Sequence, residues 1–84
     1  MAKISARGAT EVAALTSDRD ADGYGLRIVL ASDGRILRRL THRNGGTGFN
    51  VVARCKPLPA GADTEAVLLR WAQRRYPART WSVA

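Results

Sequence analysis

The chain has 84 residues, 14 basic and 7 acidic side chains, and a formal net charge of +7. That length is expected to make one domain, residues 1–84, with little volume for a deep substrate cavity. The lone cysteine, Cys55, excludes an intrachain disulfide, and the longest apolar runs are too short to span a bilayer.

In chain order, Ile4 to Ser17 favours a strand broken near Gly8, because Thr10, Val12, Ala14 and Thr16 alternate and are partly β-branched. A short helix capped by Thr10 is the other reading of that segment. Asp18 to Gly23 is a polar connection. Tyr24 to Ala31 alternates, with Tyr24, Leu26, Ile28 and Leu30 on one face and Arg27 on the other. Ser32-Asp33-Gly34 predicts a three-residue hairpin loop with Gly34 in the left-handed region. That loop pairs Leu30 with Ile36 and Leu26 with Leu40, which collects the apolar residues on one face. The third strand runs from Arg35 to about His42, with Ile36, Arg38, Leu40 and His42 on one face and Leu37, Arg39 and Thr41 on the other.

Asn44 to Gly48 is a glycine-rich turn, and Phe49 to Cys55 is a fourth strand with Phe49, Val51, Ala53 and Cys55 inward. Pro57 and Pro59 end the sheet. Asp63 is the N-cap of a helix that runs to Tyr76 and stops at Pro77. Its stripe is Leu68, Leu69, Trp71, Ala72 and Tyr76. Arg79 to Val83 has the pattern of a short last strand. The fold class expected is α+β: an antiparallel sheet of about four strands with one C-terminal amphipathic helix packed on it, in the order β-β-β-β-α.

No motif fixes a chemistry. Asp18-x-Asp20-x-Asp22-Gly23 matches the first half of a calcium loop, but the position that needs a bidentate glutamate is Val29, so a solvated turn is the better reading. Asn44-Gly45-Gly46-Thr47-Gly48 lacks the Lys-Ser/Thr ending of a phosphate loop. His42 has no second acid–base group nearby in sequence, and one His with one Cys is not a metal ligand set. Cys55 reads as a structural thiol in an apolar strand. No catalytic residue, metal or cofactor is expected, and the protein reads as a non-enzyme.

The charge is unevenly placed. Residues 1–34 carry 4 basic and 5 acidic side chains, whereas residues 35–84 carry 10 and 2. Arg74 and Arg75 suit the helix C-terminus, as Asp63 and Glu65 suit its start. Arg35, Arg38, Arg39, Arg43, Arg54 and Lys56 lie on two strands and a turn with no acid between Arg35 and Ala62. Crowded like charges destabilise a fold unless something offsets them, and nucleic-acid phosphate is the common offset. Those six are the candidate nucleic-acid-binding residues. Codon usage in a GC-rich genome is a competing explanation for the excess of arginine.

Were the first segment helical, the order α-β-β-β-α would be similar to a double-stranded RNA-binding domain. The loop Ser32-Asp33-Gly34-Arg35 and the acidic helix start Asp63-Thr64-Glu65 depart from that family's pattern. With a first strand, the three central strands plus helix resemble the arm-binding domains of phage integrases. That resemblance implies reading of the DNA major groove by the sheet, with Arg38, Arg39 and Arg43 as readers. Lys3 to Val12 together with Ser32-Asp33-Gly34-Arg35 also resembles short uncharacterised proteins of actinobacteria and their phages, which implies no function by itself. The leading expectation is a small non-enzymatic nucleic-acid-binding module, for DNA or RNA. The alternative is a protein–protein interaction module, such as a phage protein binding a host protein through a sheet edge or an exposed aromatic such as Trp81. A cytoplasmic location, no membrane association and an edge-to-edge homodimer are the further expectations.

Overall fold

A computed structural model describes residues 10–84. Three alternating segments form an antiparallel meander: β1 (Glu11–Ser17), β2 (Tyr24–Ala31) and β3 (Arg35–His42). β4 (Gly45–Gly46) and β5 (Asn50–Arg54) both pair with the outer edge of β3, β4 at its end and β5 at its start. The chain then crosses the sheet through α1 (Thr64–Arg75), and β6 (Trp81–Val83) pairs antiparallel with β1 at the opposite edge. The fold is α+β, with the expected helix after the sheet and the short last strand in place. Because Glu11 to Ser17 is a strand, the α-β-β-β-α order does not arise. Residues 4–9 of the expected first segment lie outside the described residues.

The β2–β3 register follows from the Ser32-Asp33-Gly34 loop. Gly34 takes φ +94, its N–H reaches the Ala31 carbonyl, and Leu30 faces Ile36 while Leu26 faces Leu40. This is the register that puts apolar residues together. Ala13, Leu15, Ile28, Leu30 and Ile36 then form one face, closed by Leu68 and Ala72 of α1. Full burial of a leucine or isoleucine is worth roughly 1.5–3 kcal/mol, so these contacts fix the helix to the sheet.

The helix begins where Asp63 accepts the Ala66 N–H at 3.1 Å, and it ends at Tyr76, before Pro77. Tyr76 lies against both Trp71 and Trp81, with ring centroids 6.0 and 5.9 Å away. Trp81 is therefore half-buried against the core rather than presented to a partner.

β5 does not keep the alternation expected of it. A bulge shifts its pairing with β3 between Ile36 and Leu37. Val52, Ala53 and Cys55 consequently pack on the helix side, Val51 is 45% exposed, and Phe49 packs on the opposite face against Ala31 and Leu37. Among the described residues no helix is long and apolar enough to cross a membrane.

Candidate functional site

Successive strand side chains point to opposite faces, and this sorts the six sequence candidates. Arg38 lies opposite Ile28 on the helix side, where its guanidinium donates to the Tyr76 hydroxyl at 2.9 Å. Arg39 points the other way and lies directly opposite Arg27. Arg35 is held in its own hairpin, donating from Nε to Asp33 at 2.7 Å. Arg54 lies opposite Arg35 on the β3–β5 pair and is exposed. Arg43, in the turn before β4, and Lys56, beyond β5, are exposed as well. The six are thus divided between two faces and two loops.

The face away from the helix assembles a different group. A cavity of about 440 Å³ is lined there, among the described residues, by Arg19, Arg27 and Arg39 together with Glu11, Thr41, His42 and Phe49. Arg39 carries its guanidinium over the Phe49 ring, 5.6 Å from the centroid. The β4 backbone crowds the same group: a Cβ on Gly46 would come within 3.0 Å of the Arg39 guanidinium and would run into the Leu40 carbonyl. Arg39 Nε is buried and has no hydrogen-bond partner. Neither Arg27 nor Arg39 makes a hydrogen bond or an ion pair with a described residue. Like charges directly opposite each other on paired strands are destabilising, and a buried unpaired donor costs about 1–3 kcal/mol. An anion beside the two guanidinium groups would offset the like-charge repulsion.

Other sequence candidates are occupied with local structure. His42 Nδ1 accepts the Asn44 N–H at 3.2 Å and Nε2 lies 3.0 Å from the Asp22 carbonyl, an arrangement that suits the neutral tautomer protonated on Nε2. Its ring also lies 4.5 Å from that of Tyr24. Asp20 accepts from the N–H groups of Asp22 and Tyr24, and Asp18 accepts from the Thr80 N–H. Among the described residues no three His, Cys, Asp or Glu side chains converge on a point. The glycine-rich turn is pinned by Thr47, whose N–H reaches the Leu40 carbonyl and whose hydroxyl accepts the Leu40 N–H. The Cys55 thiol is half-buried and donates to the Gly34 carbonyl at 3.4 Å.

Arg27 and Arg19 were not among the sequence candidates, because both sit in the half of the chain with a net negative charge. A signal for Arg27 was nevertheless present. The register that pairs Leu26 with Leu40 necessarily pairs Arg27 with Arg39. No comparable signal exists for Arg19, which reaches the cavity from the loop before β2. Comparison of the chain with protein-family models, with curated proteins and with solved structures finds no match.

Proposed function

We propose that this protein is a small non-enzymatic nucleic-acid-binding module that holds phosphates with arginines on the sheet face away from the helix. The observation that carries this reading is the directly opposed Arg27–Arg39 pair, with no ion pair to a described residue. A guanidinium fork suits phosphate oxygens in both geometry and charge. Arg43, Arg54 and Lys56 are exposed and add to the positive field of the molecule. Arg38, committed to Tyr76 on the helix side, is not part of the binding set. A cytoplasmic location belongs to the same proposal and fits a chain with one free thiol.

The test is fluorescence anisotropy with labelled DNA and RNA across a salt series. Log affinity is expected to fall linearly with log salt. The Arg27→Ala/Arg39→Ala double variant should bind more weakly and with a flatter slope, by about 0.9 on duplex DNA or about 0.7 on a single strand for each phosphate no longer neutralised. A double variant with the parent's affinity and slope refutes the proposal.

A second reading, protein binding by strand addition, is favoured by the sheet edges. Among the described residues β6 pairs only with β1 and β5 only with β3, and Val83 and Val51 are 63% and 45% exposed beside those edges. Such an edge suits an added strand from another protein or from a second copy. Association that survives high salt, or a dimer in sedimentation, distinguishes it.

A further inference from the structure

The proposed function leaves open the form of nucleic acid, and the cavity bears on it. We infer that the cavity takes one unstacked nucleotide of a single strand, its phosphate against Arg27 and its base on the Phe49–Arg39 pair. This rests on the nucleic-acid reading and deepens it.

Three observations support the inference. First, the volume of about 440 Å³ falls in the range of small-ligand pockets. A duplex keeps its bases stacked inside and its phosphates on a convex outer surface, so it brings no base into such a recess. Among nucleic-acid forms, an unpaired nucleotide can bring one. Second, Arg39 carries its guanidinium over the Phe49 ring, with one end, Nη2, beside Gly46 of β4. Single-stranded bases are recognised by stacking on aromatic rings and on arginine planes of this kind. Third, Glu11 shares the lining with the arginines. A carboxylate opposes a bare polyphosphate, yet it accepts hydrogen bonds from the N–H groups on a base edge.

Anisotropy with a labelled 12-nucleotide single strand and with the duplex of the same sequence tests this, using the full chain. The single strand is expected to bind at least tenfold more tightly than the duplex. Phe49→Leu keeps the apolar packing on Ala31 and Leu37 while removing the ring, and Arg39→Lys keeps the charge while removing the plane. Each should weaken single-strand binding about tenfold, the scale of one base–aromatic stack, and lower duplex binding by a smaller factor. Thermal unfolding checks that both variants fold. If Phe49→Leu does not fold, Arg39→Lys decides alone. Equal affinity for single strand and duplex, or parental single-strand binding by a folded variant, overturns the inference while the nucleic-acid reading stands. Binding of neither form overturns both.

Discussion

Neighbouring arginines on β3 point to opposite faces and meet different surroundings. Arg38 acts within the fold through the Tyr76 hydroxyl. Arg38→Ala should therefore lower stability in urea unfolding by about 0.5–1.5 kcal/mol, the usual net worth of such a bond, with nucleic-acid affinity unchanged. Arg35 and Asp33 make the hairpin pH-sensitive. The Arg35 backbone N–H first, and its guanidinium in addition, hold the Asp33 carboxyl below its ordinary value of 3.8. A depressed folded value means that this stabilisation is complete above the unfolded value and is lost as pH falls through the lower folded one. Wild type should thus exceed Asp33→Asn in unfolding midpoint at neutral pH, and the difference should shrink as pH drops below 3.8. A difference independent of pH would show that the charge is not responsible.

At the scale of elements, what was legible in the sequence was local. The hairpin loop and the Asp63 cap each depend on a few adjacent residues whose chemistry admits one geometry. Gly34 is the strictest of these. Its φ of +94 lies in the left-handed region, and a Cβ there would meet the Cys55 carbonyl oxygen. Gly34→Ala should cost at least about 1–3 kcal/mol from backbone strain, seen as a fall in Tm of several degrees. The inward pattern over Phe49 to Cys55 was not recoverable in the same way. The β5 bulge arises in its pairing with β3, which periodicity within β5 cannot show. The burial of Trp81 likewise depends on where Tyr76 ends the crossing helix.

Across the whole molecule, the proposed site belongs to a sheet face rather than to a stretch of chain. Charge counted along the sequence divides at residue 35, and it gathers Arg38 with Arg39 while leaving Arg27 and Arg19 aside. The pairing of β2 with β3 reverses that grouping. Of the three arginines that line the cavity, only Arg39 was therefore legible as arginine content, and the Arg27–Arg39 pairing became visible only once the register was applied to charged residues as well as apolar ones. The same sheet closes through β6, which joins residues 81–83 to residues 15–17. That pairing ties together nearly the whole chain, whereas β2 and β3 meet across a tight loop. Long closures are entropically slow and short ones fast, so the hairpin is expected to lead folding and β6 to dock last. Trp81→Leu should then raise the unfolding arm of a stopped-flow chevron and leave the folding arm in place. On this expectation the closing strand is a clasp that sets how long the native state lasts, not how quickly it forms.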